Sequence, residues 1–225
     1  MSYHNYQSKS WQLSKSSFVK AQQCHKLLWL DKHKRSLATP PDKKTKMRFQ
    51  RGHDFEDRVR AAEFPGGINI KDQISNWKYF DAYTRELLDR PDKRILYEAT
   101  FIEDNVLVMS DILVGSDAEG YDFYEIKRHT ELKEVVQQDL AVQYYVCKKR
   151  FDTKINSFNI VLRADEEGKE WRIRDMKKEL EELQKEVQKK IEMYLEILKG
   201  SEPNIAMGKH CHEPYDCPFI GYCSQ

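Results

Sequence analysis

Apolar residues in the middle of the chain alternate with polar ones or cluster in short runs, which is typical of β-strands. Four such runs predict strands at positions 95–102, 106–114, 121–126 and 155–162. Asp104 and Asn105 predict a tight turn between the first two strands, because both residue types tolerate the backbone of such turns. Residues 116–120 join the second strand to the third. The pattern predicts a group of antiparallel strands and one further strand later in the chain.

Helical spacing of apolar residues marks the segments on either side of these strands. A capping sequence at 14–17 precedes apolar residues predicted to share one helix, namely Phe18, Cys24, Leu27, Leu28 and Leu30. A helix over 47–63 is predicted to turn four residues inward, namely Phe49, Phe55, Val59 and Ala62. Further helices are predicted at 80–90, 131–149 and 175–199, and the basic stretch 32–46 is predicted to be an exposed connection. The order predicts one α/β domain over 1–225, a mixed central sheet flanked by helices on both faces.

Composition narrows the functional classes. The 38 Lys and Arg residues nearly balance the 37 Asp and Glu residues, so the whole molecule does not attract a polyanion. Nucleic-acid binding would therefore need local basic patches, and residues 43–51 and 148–150 are the candidates. The sequence contains no apolar stretch long enough to span a membrane, and residues 1–10 are polar and lack the apolar run typical of a signal peptide. We expect a cytoplasmic protein with no membrane partner, in which five cysteines serve as metal ligands or buried thiols.

Two carboxylates and a lysine fall on the predicted strands. Asp111 lies in an apolar strand, where an unpaired carboxylate would be costly to bury. Glu125 and Lys127 share one face of the next strand, so a hairpin would bring Asp111 beside Glu125. Paired carboxylates are ligands that suit Mg²⁺ or Mn²⁺, and such a metal can activate water beside a phosphodiester. The alternative is a surface strand with an ordinary salt bridge, because the motif is short.

The upstream helix adds a third acidic residue, Glu56, four positions after Gly52. The combination with Asp111 and the Glu-x-Lys motif resembles the RecB-like branch of the PD-(D/E)XK nucleases. That resemblance implies a restriction-endonuclease-like core in which Glu56, Asp111 and Glu125 hold the metal and Lys127 assists catalysis. His53 is the competing third ligand. Glu98 falls where relatives carry a supporting glutamate one strand before the aspartate.

The resemblance also implies a Gln-x-x-x-Tyr signature on the helix after the catalytic lysine. When Leu140 is matched to the family's leucine, Asp139 and Gln143 occupy the places where Gln and Tyr are usual. Gln138 and Gln143 are both candidates for the glutamine's role. The contribution of this helix therefore stays open.

Three of the five cysteines recur every six residues near the end of the chain, at Cys211, Cys217 and Cys223. Three thiols do not complete a tetrahedral site, and Cys24 is the natural fourth ligand. Spacing alone leaves structural zinc, an iron–sulfur cluster and unligated thiols open. Three histidines are alternative ligands, namely His25, His210 and His212.

One N-terminal cysteine followed by three near the C-terminus is similar to the arrangement in iron–sulfur RecB-like nucleases. These include CRISPR-associated members, AddB-like subunits and uncharacterised bacterial relatives. The resemblance implies a [4Fe–4S] cluster on Cys24, Cys211, Cys217 and Cys223 that clamps segments 13–31 and 200–225 together. Cys147 is predicted to be a spare thiol.

These features predict a metal-dependent deoxyribonuclease, an exonuclease acting on single strands or duplex ends. Expected partners are DNA and a helicase or other proteins of repair or CRISPR adaptation. A second hypothesis is a non-catalytic iron–sulfur module that binds DNA or serves as an adaptor in such a complex. A third is an RNA nuclease.

Overall fold

The computed structural model describes residues 7–165 and 168–225, and its centre is a seven-stranded mixed sheet. The strands are β1 (Leu13–Ser14), β2 (Ile68–Asn69), β3 (Arg94–Glu103), β4 (Val106–Ser116), β5 (Gly120–Lys127), β6 (Ile155–Arg163) and β7 (Trp171–Asp175). Their order is β2-β3-β4-β5-β6-β7, and β1 pairs in parallel with the start of β4. Strands β3 to β5 are antiparallel, whereas β6 runs parallel to β5.

Helices cover both faces of this sheet. They are α1 (Lys15–Gln23), α2 (His25–His33), α3 (Lys43–Glu63), α4 (Ile70–Gln73), α5 (Phe80–Leu88), α6 (Glu134–Phe151), α7 (Lys177–Lys199) and α8 (Ile220–Cys223). The larger core joins α1, α5, α6 and α7 to one face of the sheet. On the other face, Phe55 and Val59 of α3 pack against Ile112, Ile126 and Val161. The predicted mixed α/β sheet with helices on both faces is confirmed.

The four long strands lie where hydrophobic patterning places them, but three short strands were missed. β1 and β2 have only two residues each, too few to show a period. β7 is an edge strand whose residues are mostly exposed, so its sequence carries no buried apolar face. Because β7 ends at Asp175, the long helix α7 begins at Lys177 rather than at 175.

The helix predicted at 131–149 is observed as α6, from Glu134 to Phe151. Two helical predictions nearer the N-terminus also need correction. The single N-terminal helix is wrong, because Cys24 has an extended backbone that separates α1 from α2. Helix α3 begins at Lys43, where the Asp42 side chain accepts from the backbone N–H of Thr45 at 2.7 Å, so the exposed connection is shorter than predicted.

The first half of α3 projects into solvent, which corrects two predicted core positions. Phe49 is 51% exposed and Ala62 is exposed, although both were predicted to face inward. The buried residues of this helix are Phe55 and Val59. Residues 43–54 therefore form an exposed arm that continues the helix away from its packed portion.

The C-terminal segment lies against the N-terminal helices. The Gln23 amide donates to the main-chain oxygens of His210 and Tyr215, both at 2.7 Å. Phe219 is fully buried against Leu27 and Leu30 of α2. These contacts hold the C-terminal segment against α1 and α2. In residues 7–165 and 168–225, no helix combines the length and apolar character needed to cross a bilayer.

Phe219→Ala should lower the free energy of unfolding by about 3–5 kcal/mol, because it opens a cavity between the C-terminal segment and α2. Chemical denaturation followed by circular dichroism measures this change. The matched control is Tyr215→Ala, four residues earlier, whose ring is 41% exposed. Equal stability of the two variants would contradict the role of Phe219 in joining the ends.

Candidate active site and cysteine cavity

The regular pairing of β4 is interrupted at Asp111. On the β3 side, the register has no pair between Glu98 and Asp111, and Glu98 has a positive φ of 57°. This left-handed backbone is uncommon for a glutamate and marks local strain. The main-chain oxygen of Asp111 instead accepts from the guanidinium of Arg60 at 3.2 Å.

On its other side, β4 divides between two neighbours. β5 pairs only with the later part of β4, whereas β1 pairs with its start, at Leu13 and Val106. In the fork between them, Asp111 Oδ2 accepts from the backbone N–H of Ile126 at 2.7 Å. A side-chain carboxylate thus takes the place of a ladder hydrogen bond. This fork fixes the orientation of Asp111 toward β5.

Glu125 is the most enclosed acidic group of the site, with 1% of its surface exposed. Its Oε1 accepts from Lys127 Nζ at 2.5 Å and from Lys15 Nζ at 2.8 Å. Its Oε2 accepts from the Gln143 amide at 2.7 Å. Burial opposes ionisation, but the two ammonium groups outweigh it and lower the pKa of Glu125 below its ordinary value.

The other predicted metal ligands show the opposite shift. Burial raises the pKa of Asp111 well above its ordinary value, and repulsion from Glu125 adds to the effect. Burial also raises the pKa of Glu56, with further repulsion from Glu98 and Glu125. These carboxylates are therefore near enough to repel one another. A divalent cation between them would relieve that repulsion.

Arg60 links the helix to the strands behind the site. It forms ion pairs with Glu56 and, at 3.0 Å, with Glu98, which also pairs with Lys71 at 2.8 Å. Glu98 thus supports the site through Arg60. His53, the competing third ligand, lies exposed on α3, whereas Glu56 is half-buried and faces the carboxylates.

Helix α6 adds two residues beside Glu125. Asp139 Oδ2 lies 3.0 Å from Lys127 Nζ and 3.7 Å from Lys15 Nζ. Of the two glutamine candidates, Gln143 is fully buried against Glu125, and among the described residues its own Oε1 has no hydrogen-bond partner. Gln138 instead reaches the surface and accepts from Gln22 at 2.8 Å.

Sequence reasoning missed Lys15. Its local sequence indicates only a helix start, because Ser14 caps α1 by accepting from the backbone N–H of Ser17. The contact that gives Lys15 its place in the site is to Glu125, 110 positions later. No local pattern signals such a contact.

A positive surface borders the site. The pKa of His129 is lowered by partial burial and by four neighbouring cations, namely Lys133, Lys127, Arg128 and Arg48. Arg48 belongs to the exposed arm of α3, whereas the others belong to the end of β5 and the loop before α6. We call Arg48, Arg128 and Lys133, all exposed, the basic entrance.

The second predicted basic cluster, residues 148–150, differs from the arm because two of its three cations pair with acidic neighbours. Lys148 forms an ion pair with Glu181, and Lys149 lies 3.3 Å from Asp104. Its net attraction for a phosphate backbone is correspondingly smaller. Of the two clusters, the arm at 43–51 is the better candidate for nucleic-acid binding.

The four cysteines predicted to act together line a single cavity of about 20 Å³, namely Cys24, Cys211, Cys217 and Cys223. His210 also lines this cavity. His25 stacks edge-on against Tyr194, and His212 contacts Asp216 at 2.8 Å. Cys147 is buried in the main core on α6.

Two thiols of this cavity, Cys217 and Cys223, are less readily ionised than an ordinary thiol because their pKa is raised. Burial raises the pKa of both Cys217 and Cys223, and neighbouring cysteines add repulsion. Four sulfur ligands suit a soft metal or an iron–sulfur cluster. Within residues 7–165 and 168–225, no group of three or more His, Cys, Asp or Glu side chains could hold a metal as it stands. The predicted joining of the chain ends by a metal cluster stays a prediction.

Comparison with known proteins gives a sparse result. No protein-family model matches the chain, and no curated protein matches it. Among solved structures, the chain is similar to an alkaline exonuclease (LHK-Exo) from Laribacter hongkongensis. The alignment covers 84% of this chain and 88% of that chain, with 12% identity and a TM-score of 0.44. Similarity at this level assigns no function to the present chain.

The opposite pKa shifts predict opposite effects on stability in metal-free buffer at pH 7. Asp111→Asn should raise the free energy of unfolding by about 1 kcal/mol, because it removes a buried repulsive charge and keeps an acceptor for Ile126. Glu125→Gln should lower it by about 3–5 kcal/mol, because Lys15 and Lys127 lose their shared partner. Chemical denaturation measures both.

The pH dependence supplies the control. The raised pKa of Asp111 means that its ionisation destabilises the folded state, and this cost disappears as falling pH protonates it. The advantage of Asp111→Asn should therefore shrink on acidification. The lowered pKa of Glu125 means that its contribution is present at neutral pH and is lost as pH falls below the unfolded value. If both substitutions changed the free energy of unfolding in the same direction at pH 7, the opposite pKa shifts of Asp111 and Glu125 would be contradicted.

Proposed function

We propose that this chain is a metal-dependent nuclease of the PD-(D/E)XK type that acts on DNA as an exonuclease, from single strands or duplex ends. The observation that carries the proposal is the interruption of β4 at Asp111. Asp111 lies at that interruption, and repulsion from Glu125 and Glu56 helps to raise its pKa. Lys127 contacts Glu125 and lies beside the basic entrance. Strained backbone and mutually repelling carboxylates are costly to stability, and such costs concentrate at functional sites.

The donor set suits Mg²⁺ or Mn²⁺, since Glu56, Asp111 and Glu125 offer hard oxygen ligands. When bound, the metal would activate water and stabilise the charge that develops on a phosphodiester. Gln143 orients Glu125 through its amide. Lys127 would turn from Glu125 toward the phosphoryl oxygens or the attacking water.

The basic entrance supports a nucleic-acid substrate. The whole chain has a formal net charge of only +1, so the exposed cations must act locally. Phe49 adds an exposed ring next to Arg48, whose guanidinium lies 5.7 Å from the ring centre. Aromatic rings beside cations bind unpaired bases by stacking, which favours single strands or frayed ends.

The cysteine cavity supports the second half of the proposal, a [4Fe–4S] cluster of the RecB-like iron–sulfur type. Its four cysteine ligands would be Cys24, Cys211, Cys217 and Cys223. Because the cavity lies between α2 and the C-terminal segment, a cluster there would stabilise both. Repair or CRISPR-adaptation proteins, such as a helicase, are the proposed partners.

Anaerobically purified protein should shorten end-labelled DNA in the presence of Mn²⁺ and leave it intact with a chelator. Asp111→Asn and Glu125→Gln should each reduce the rate by at least about 100-fold, because each removes a ligand charge from the same cation. Gel analysis of labelled single-stranded DNA, duplex DNA and RNA measures the rate and the substrate preference.

The matched control is Glu119→Gln, an exposed carboxylate in the turn between β4 and β5, which should cleave like wild type. Glu56→Ala should raise the Mn²⁺ concentration for half-maximal activity more than His53→Ala does. Full activity of Asp111→Asn would refute the site. Tight DNA binding with no cleavage would favour the adaptor hypothesis, and faster cleavage of RNA would favour an RNA nuclease.

The cysteine proposal predicts brown protein with roughly four irons per chain. Replacing Cys24, Cys211, Cys217 or Cys223 by Ser should remove the colour and lower the melting temperature, because cluster binding contributes to folding. Cys147→Ala is the matched control and should keep its iron, which elemental analysis measures. Colourless protein with stoichiometric zinc would replace the iron–sulfur cluster by a structural zinc site.

A further inference from the structure

Lys15 reaches the centre of the site from outside the nuclease motifs. It is the first residue of α1, directly after β1, and its side chain is 19% exposed. Its Nζ lies 2.8 Å from Glu125 Oε1. Burial works against its charge, but Asp139 and Glu125 outweigh this effect and raise the pKa of Lys15 above its ordinary value. Lys15 is thus a cation inside the acidic cluster.

Asp139 is the second partner of Lys15. It lies on α6 with its carboxylate between the two lysines, 3.7 Å from Lys15 Nζ and 3.0 Å from Lys127 Nζ. Two carboxylates, Glu125 and Asp139, thereby balance two ammonium groups. An aspartate at position 139 without a nearby cation would be repelled by Glu125, and both lysines offset that repulsion. Lys15 and Asp139 therefore add one charge of each sign to the site.

We infer that Lys15 is a positioning residue of the active site, which holds Glu125 in place and neutralises Asp139 while Lys127 serves the substrate. The inference rests on the proposed function. Two ammonium groups share Oε1 of Glu125, so either one can leave without releasing the carboxylate. Lys127 belongs to the Glu-x-Lys motif and lies beside the basic entrance, whereas Lys15 approaches from α1.

This arrangement also accounts for the unusual helix motif. The resemblance predicts a glutamine at position 139, but an aspartate stands there. The aspartate has two partners of opposite charge, Lys127 at 3.0 Å and Lys15 at 3.7 Å. Gln143, one turn further along α6, then supplies the neutral amide that contacts Glu125. On α6, Asp139 thus contacts the two lysines and Gln143 contacts Glu125.

The test combines steady-state cleavage with Mn²⁺ binding by calorimetry. Lys15→Met should lower kcat by about 10–100-fold, the usual effect of losing a residue that orients a metal ligand, and change KM for DNA by less than about twofold. It should also bind Mn²⁺ at least several-fold more tightly, because a cation beside the metal site is gone. Loss of a purely structural contact would not tighten metal binding.

Two further variants separate charge from folding. Lys15→Met/Asp139→Asn restores the net charge of the site, so its Mn²⁺ affinity should return toward the wild-type value. If Lys15→Met alone folds poorly, kcat and Mn²⁺ affinity can still be measured on this double variant. Lys20→Met, on the same helix, removes a lysine that pairs with Asp31 at 2.8 Å and should leave kcat and Mn²⁺ affinity unchanged.

The outcomes distinguish this inference from the proposed function. If wild type cleaves DNA and Lys15→Met matches it in kcat and Mn²⁺ affinity, the role of Lys15 is refuted and the nuclease stands. If wild type binds Mn²⁺ without cleaving, the nuclease function fails, and tighter binding by Lys15→Met still supports its place beside the metal. A wild-type protein that binds no Mn²⁺ would overturn both the inference about Lys15 and the proposed nuclease function.

Discussion

The ionised carboxylate of Glu125 is the constraint on which the site depends. A buried charge costs several kcal/mol unless nearby groups compensate for it. Here compensation comes from Lys15 on α1, Lys127 on β5 itself and Gln143 on α6. Satisfying one carboxylate therefore positions two helices against the strand. At Asp111, burial and repulsion from Glu125 outweigh the same two lysines, and its pKa moves in the opposite direction.

Local patterning predicted the parts of the fold that are long and periodic. The four long strands and the mixed sheet followed from apolar periodicity, and Asp111, Glu125 and Lys127 followed from their places on those strands. The two-residue strands β1 and β2 carry no period, and the break at Cys24 has no glycine or proline to signal it. Local sequence likewise does not reveal which distant element a segment will pack against in the folded chain.

The candidate site residues also divide into those that local sequence reveals and those that it does not. The four cysteines that the sequence groups as ligands line one cavity, and their role as ligands stays a prediction. Lys15 escaped notice, because its identity as a site residue depends on a contact across 110 positions. Asp139, which stands where the resemblance predicts a glutamine, pairs with both Lys127 and Lys15.

The path of the chain has a consequence during synthesis. Helix α1 runs from Lys15 in the site to Gln23, whose amide is held by main-chain oxygens of the C-terminal segment. Cys211 is translated 187 residues after Cys24 (211 − 24), which takes about 10–40 s at ordinary rates of about 5–20 residues per second. During that interval the helix that carries Lys15 lacks its C-terminal contacts. A nascent chain therefore acquires the contacts that hold the end of α1 only after most of the chain has been synthesised.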